Sequence, residues 1–277
     1  MKRLWLALWL VLAVASASCS GPAGSSPDSE QDALDRIRAN HVMRVGYVDW
    51  APCISREGHD APVKGIFFDM VNEVAARLGV RVVWVETTLA SFATDLNTGK
   101  IDFSIGPTYI TIPRAAAVTF TIPISYVGNS GVVSAASTLN LHSIEDINHS
   151  NIRVAVLQGQ AMDEFAKVKL PEAQLLRLAG GDLTAPLVAV SAGRADIGFM
   201  NTVTVDAYVA SHPEVRRLLP GGKEIEMLPH GWATRTQDAR LHDFLNASIE
   251  YLAASGRIAE YQSREPLKLR FPATVGE

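Results

Sequence analysis

From Val42 onward the chain alternates short β-rich runs with amphipathic helical stretches, and this alternation restricts its fold more than any other feature. Residues 42–48 predict a strand. Met70, Val71, Val74, Ala75 and Leu78 then line one face of a helix that Asp69 can cap and Gly79 ends. Residues 81–85 predict a strand, Leu89, Phe92, Ala93 and Leu96 repeat the helical spacing up to Gly99, and residues 101–105 predict another strand. A second series starts near Asn151. It has a strand over 152–156, a turn at Gln158-Gly159-Gln160 and a helix over 161–169 before Pro171. A helix capped by Thr184 and stopped by Gly193 follows, then a strand over 196–200. Leu241, Phe244, Leu245, Ile249 and Leu252 form a last amphipathic stripe closed by Gly256. Strands alternating with helices build mostly parallel sheets flanked by helices. Two separate series fit two α/β lobes better than one continuous sheet, as does a length of 277 residues.

The N-terminus reads as an export signal. Met1-Lys2-Arg3 is basic, residues 4–15 are an unbroken apolar run, and Ser16-Ala17-Ser18-Cys19 are small. Such a run is too short to cross a hydrocarbon core that needs about 20 residues. Cleavage around residues 15–17 would release a soluble protein. Alternatively, the small residues before Cys19 resemble a bacterial lipobox in which the cysteine is lipidated, with Ser16 standing where that motif usually has Leu. The polar stretch 20–31 suits a flexible tether and favours lipidation of Cys19. Cys53, the other cysteine, is expected to be a small buried filler.

Charge and motifs exclude several functions. With 25 Lys+Arg against 29 Asp+Glu, the net charge is −4, which is unlike a nucleic-acid-binding surface. The seven histidines show no metal-ligand spacing, and no P-loop, nucleophile elbow or dinucleotide fingerprint is present, so no cofactor is expected.

The most informative stretch is residues 99–123, in which a strand runs into a loop and Thr111 occupies a helix N-cap position. Pro113 suits a first helical turn, so Arg114 projects from a helix N-terminus, a place that favours anions. Its guanidinium can hold a carboxylate with two parallel hydrogen bonds, or pair with a surface acid as most arginines do.

This pattern resembles the bacterial extracytoplasmic solute-binding proteins of family 3, the polar amino-acid receptors of ABC importers. The resemblance spans residues 32–264. It rests on L-D-R-I-R-A-N-H-V-M-R-V-G-Y-V-D-W-A-P (34–52), G-I-F-F-D-M-V-N-E-V-A-A-R-L-G-V (65–80), L-N-T-G-K-I-D (96–102), T-I-P-R (111–114), F-T-I-P (120–123), S-I-E-D-I (143–147), V-A-V-L-Q-G (154–159) and G-R-A-D (193–196), in family order and spacing. It implies two α/β lobes joined by two crossing strands that close on a ligand like a hinge, the type II periplasmic-binding-protein fold. Lobe 1 would hold 32–131 and 226–265, lobe 2 would hold 132–225, and 266–277 would be a C-terminal tail. The implied molecule is an extracytoplasmic monomer that binds a small carboxylate and docks on an ABC permease.

Position by position, the resemblance assigns Arg114 to the ligand's α-carboxylate, Trp50 to stacking on the ligand and Leu89 to the opposing wall. Pro107 and Tyr109 stand where relatives place small hydroxyl or backbone-exposing residues, and Gln160 and Ala161 replace two threonines of the family's Q-G-T-T motif. The Tyr109 hydroxyl and the Gln160 amide can still reach a polar ligand, whereas Pro107 and Ala161 offer no such donor. Thr108 is a further candidate contact. Asn201 replaces the aspartate that pairs with an α-ammonium, so either the amine is held differently or the ligand lacks one. Asp182, Asp163, Glu164 and Glu226 are the candidate substitutes. A catalytic branch of the fold, the cyclohexadienyl dehydratases, carries a T-D-x-x-E motif here whose glutamate is a general acid. This chain has Thr204 at that position, which argues against such an enzyme. A ligand-binding sensor unconnected with transport would look the same in sequence.

Overall fold

The computed structural model describes residues 31–58, 60–264, 267 and 269–271. The export signal, Cys19 and all of the tether before Gln31 lie outside the described residues. The first lobe runs through α1 (Ala33–Asn40), β1 (Val42–Tyr47), the antiparallel pair β2 (Ser55–Arg56) and β3 (Val63–Lys64), α2 (Ile66–Leu78), β4 (Arg81–Glu86), α3 (Phe92–Asn97), β5 (Phe103–Ile105), the single turn α4 (Ile112–Ala115) and β6 (Thr119–Phe120). β7 (Ser125–Ser134) crosses to the second lobe, built from β8 (Arg153–Leu157), α5 (Ala161–Lys169), β9 (Gln174–Leu178), α6 (Ala185–Ser191), β10 (Ile197–Asn201), α7 (Thr202–Ser211) and β11 (Val215–Arg217). β12 (Glu226–His230) crosses back, followed by β13 (Ala233–Thr234), α8 (Ala239–Ala254), α9 (Arg257–Arg264) and β14 (Leu269–Arg270).

One sheet has the order β4-β1-β5-β13-β6, with β1 parallel to β4 and β5 and the return strand β13 antiparallel to β5 and β6. The other has the order β11-β7-β10-β8-β9, with β8 parallel to β9 and β10. β7 is antiparallel to each of its partners, β10, β11, β12 and β14. β14 lies inside the segment expected to be a tail, and pairs Leu269 with Val127.

Local chemistry explains most boundaries. α2 buries Ile66, Phe67, Met70, Val71, Val74 and Ala75 on one stripe and ends at Gly79, whose φ of 75° closes the last turn. It begins at Ile66 rather than at Asp69, which lies in the first turn. Gly65 permits the earlier start: its φ is 115°, and a Cβ there would lie 2.3 Å from the Cys53 carbonyl oxygen. α8 buries Leu241, Leu245, Ile249 and Leu252, the stripe expected from sequence. Every residue of β10 is buried, as both faces of that strand are covered. One apolar cluster contains residues of both lobes, including Trp50, Tyr109, Ala155, Leu157 and Met200.

A buried ion cluster fixes α1 against the first sheet. Asp102, 1% exposed, accepts from Arg36 at 3.0 Å, from the Arg44 guanidinium at 2.7 Å and from the Arg44 backbone N–H at 2.7 Å. Removing this carboxylate leaves buried positive charge without its counter-ion, a loss of about 3–5 kcal/mol. Asp102→Ala is therefore expected to lower the urea midpoint by that free energy with an unchanged slope; a loss below about 1 kcal/mol would show the cluster to be dispensable.

Candidate functional site

The crossing strands set the geometry between the lobes. In the sheet register Asn129 of β7 faces Glu226 of β12 on one side and Asn201 of β10 on the other. The Asn129 side chain continues this link, accepting from the Tyr109 hydroxyl at 3.0 Å and donating to Glu226 at 3.3 Å. Burial, and then the neighbouring Glu226 carboxylate, raise the Tyr109 pKa well above its ordinary value, so the phenol stays protonated and can donate. Burial likewise raises the Glu226 pKa, opposed by the Asn129 hydrogen bond.

Arg114 sits in α4, with Thr111 at the N-cap position and Pro113 in the first turn. The helix is only four residues long and Thr111 makes no side-chain cap, so the expected dipole contribution is small. The guanidinium bridges the lobes instead: it donates to the Tyr109 carbonyl at 3.3 Å in the first and to the Gly159 carbonyl at 3.3 Å in the second. Among the described residues no carboxylate pairs with it, and burial lowers its pKa against the opposing influence of Tyr109. Next to Tyr109, Thr108 is 0% exposed and its hydroxyl has no partner among the described residues. An unmet buried hydroxyl costs about 1–3 kcal/mol unless a bound group satisfies it.

Trp50 and Asn201 meet across the lobes, the indole N–H donating to the Asn201 side-chain oxygen at 3.3 Å. Trp50 is 1% exposed, stacked on Phe67 with ring centres 6.0 Å apart and edge-on to His230 at 5.5 Å. Asn201 ends β10 and caps α7, its oxygen also accepting from the Thr204 N–H at 2.9 Å. Asn201 is therefore both the expected residue after a strand and an N-cap, a double role that Asn suits.

The remaining assigned residues are less central. Leu89 lies in the turn before α3 rather than in the helix, because α3 starts only at Phe92; it is half-buried against the main core. Gln160 occupies the N-cap position of α5 beside Gly159, buried, with no side-chain cap bond. Asp163, suggested as a substitute acid, is fully committed. Burial pushes its pKa up, but hydrogen bonds from Arg177, the Gly159 N–H and Lys167 outweigh this and hold it at about 2. Glu164 pairs with Lys167 on the surface. Asp182 accepts from Thr184. An open groove of about 460 Å³ between the lobes is lined by Asp49, Trp50, Leu183, Thr204 and Tyr208 among others, but not by Arg114.

Sequence reasoning missed His230, whose only sequence signal was an isolated position before a short return strand. It is fully buried between Trp50 and Phe67. Its Nε2 bonds to the Gly106 carbonyl and its Nδ1 lies 3.3 Å from the Ser125 hydroxyl, which assigns the Nε2–H tautomer with Ser125 donating. Burial, and then the nearby Arg114 charge, lower its pKa to about 3. The unfolded chain takes up this proton below about pH 6.5 while the folded one does not, so stability present at pH 7 is lost as pH falls toward 3. Between pH 7 and 5 this group is expected to cost about 2 kcal/mol. Urea unfolding at both values should show a pH dependence that much smaller in His230→Gln; equal dependence in both proteins would refute the neutral, buried assignment.

The chain is 25% identical over 201 residues to the cyclohexadienyl dehydratase of Pseudomonas aeruginosa, covering 72% of this chain and 73% of that protein. It is 25% identical over 243 residues to the L-arginine-binding protein of the same organism, covering 83% and 90%. Among solved structures it is similar to the ancestral amino acid-binding protein AncCDT-1, described as a precursor of cyclohexadienyl dehydratase. The TM-score is 0.75 at 26% identity, with 84% of this chain and 99% of that one covered. A variant of ArgBP from T. maritima gives a TM-score of 0.74 at 26% identity, covering 84% and 98%. Residues 43–264 match the bacterial extracellular solute-binding proteins, family 3, and with its two lobes and crossing strands the chain belongs to that family.

Proposed function

We propose that this protein is the extracytoplasmic receptor of an ABC importer, capturing a small carboxylate-bearing solute, an amino acid or a related organic acid, between its lobes. The observation that carries this reading is Arg114, a partly buried cation that reaches carbonyls of both lobes and has no anion beside it among the described residues. A ligand carboxylate there gains two charge-assisted hydrogen bonds and joins the lobes in one step. The unmet Thr108 hydroxyl next to Tyr109 and the buried Gln160 next to Gly159 support the same place. Closure then follows from differential affinity, since the ligand stabilises whichever state lets it touch both lobes. The L-arginine-binding protein of Pseudomonas aeruginosa and a probable histidine-binding protein of Campylobacter jejuni, both similar to this chain, take solutes of the same class.

The dehydratase relative makes catalysis the second reading. Thr204 is the residue at the expected acid position, and a hydroxyl of ordinary acidity does not protonate a leaving group near neutral pH. The protein acts as a monomeric binder in this proposal, and a lipid on Cys19, favoured by the polar tether sequence that follows it, holds it at the membrane surface. Incubation of purified protein with prephenate decides the catalytic question: turnover would replace the receptor reading.

The carboxylate reading is tested by thermal shift with matched acids and their carboxamides. Ligand at 100 times Kd adds about 2.7 kcal/mol, or roughly 5–10 °C for a protein of this size. Acids that shift wild type are expected to leave Arg114→Gln unmoved. Equal shifts from acids and carboxamides, or from both proteins, would overturn the assignment.

A further inference from the structure

We infer that β14 is a hinge strap. It belongs to lobe 1, lies along the crossing strands up to their bending point and latches onto lobe 2 through Arg270, so that the ligand-free protein already favours closed lobes. The inference does not depend on which solute is bound.

The strand register shows where the bend lies. Tyr126 and Val127 of β7 pair with both β12 and β14, and Asn129 pairs with both β12 and β10. β12 therefore holds one edge of β7, while β14 and β10 share the other. On that shared edge β14 of lobe 1 stops at Val127 and β10 of lobe 2 begins at Asn129, which leaves Gly128 between them. The crossing is three strands wide at Tyr126 and Val127 rather than the expected two. A Cβ at Gly128 would overlap the Glu224 carboxylate, so only a glycine lets that side chain lie against the strand at the bend.

Apolar packing and hydrogen bonds anchor the strap. Leu267, Leu269 and Phe271, alternate residues as in a strand, pack on the main apolar cluster, and Leu269 is 3% exposed. Gln262 of α9 donates to the Leu269 carbonyl at 3.2 Å, and α9 is held to α2 by Arg257 donating to Glu73 at 2.8 Å. The exposed Arg270 reaches the other lobe: its guanidinium donates to Glu224 at 3.4 Å, and Glu224 accepts from the hydroxyl of Thr202, in the first turn of α7, at 3.0 Å. A path of contacts thus runs from α9 through β14, Arg270 and Glu224 to α7. An exposed ion pair contributes little to folding. A hinge is more sensitive, because two arrangements of one fold can be so close in free energy that one weak contact shifts their ratio severalfold. Opening turns lobe 2 away about Gly128 and draws Glu224 from Arg270, so the latch favours the closed side alone. A larger binding-competent fraction before ligand arrives tightens the apparent affinity in proportion.

The test measures the interlobe distance in ligand-free protein by double electron–electron resonance. Spin labels are placed at Asn97→Cys on lobe 1 and Val168→Cys on lobe 2, both exposed, in a Cys19→Ser background that leaves only the buried Cys53 as a native thiol. The labelled parent is expected to populate mainly the distance of the closed arrangement. Arg270→Ala should move a severalfold larger share of molecules to a longer distance, and a chain ending at Arg264 should move more. Glu224→Gln keeps an oxygen for Thr202 and removes only the charge, and should match Arg270→Ala. These two exposed-pair variants carry the test if circular dichroism shows that the shortened chain does not fold. Distance distributions unchanged in both Arg270→Ala and Glu224→Gln would overturn the latch, and an unchanged distribution in a folded shortened chain would overturn the strap. A parent that is already fully open without ligand would overturn both.

Discussion

β7 is the strand on which the rest of the molecule depends. Its antiparallel pairing with β12 joins the lobes, and its pairing with β10 brings Asn201 to the boundary between them. Asn129, where both ladders meet, uses its backbone for register and its side chain for the Tyr109 and Glu226 hydrogen bonds. A slip of one residue in either ladder would turn the side chains of that strand to the opposite face and dismantle the site, because strand periodicity is two. The pairing of β14 with the same strand ties the end of the described chain to the crossing.

Between the lobes, polar groups are arranged with few spare partners. His230 is neutral and satisfied at both ring nitrogens, Tyr109 is a committed donor, and Asn201 accepts twice. Against this background Arg114 and Thr108 are the exceptions: a cation served only by neutral carbonyls and a hydroxyl served by nothing among the described residues. Buried polar groups normally find partners, and groups that do not are where a ligand gains most by binding. An arginine suits this role because its planar fork can keep a carbonyl contact while turning two N–H groups toward an anion.

Relatives of similar identity include a dehydratase as well as amino-acid binders, so fold and family leave the chemistry open. The residues at the cleft separate the possibilities. In the proposed reading Arg114 takes the carboxylate, while Thr204 stands at the position the resemblance gives to a general acid and Asn201 at the one it gives to an ammonium partner. The scaffold is shared; the side chains that end β10 and begin α7 decide what it does.

Sequence alone determined the alternating elements, the two-lobed α/β fold and the family, because apolar periodicity, glycine stops and motif spacing are local or ordered along the chain. The family resemblance singled out Arg114, Trp50 and Asn201, and the fold brings the latter two into contact across the lobes. Sequence placed the start of α2 at Asp69, since periodicity does not register where a glycine with positive φ permits a turn to begin. It put Leu89 in a helix that starts only at Phe92, because the apolar spacing runs on into the turn before it. What only the tertiary structure decided are the relations between distant residues: Trp50 bonded to Asn201 151 positions away, Arg114 reaching Gly159, and His230 packed under Trp50. These depend on the two crossing strands bringing separate lobes together, and no local pattern encodes which side chains will then share a lone pair.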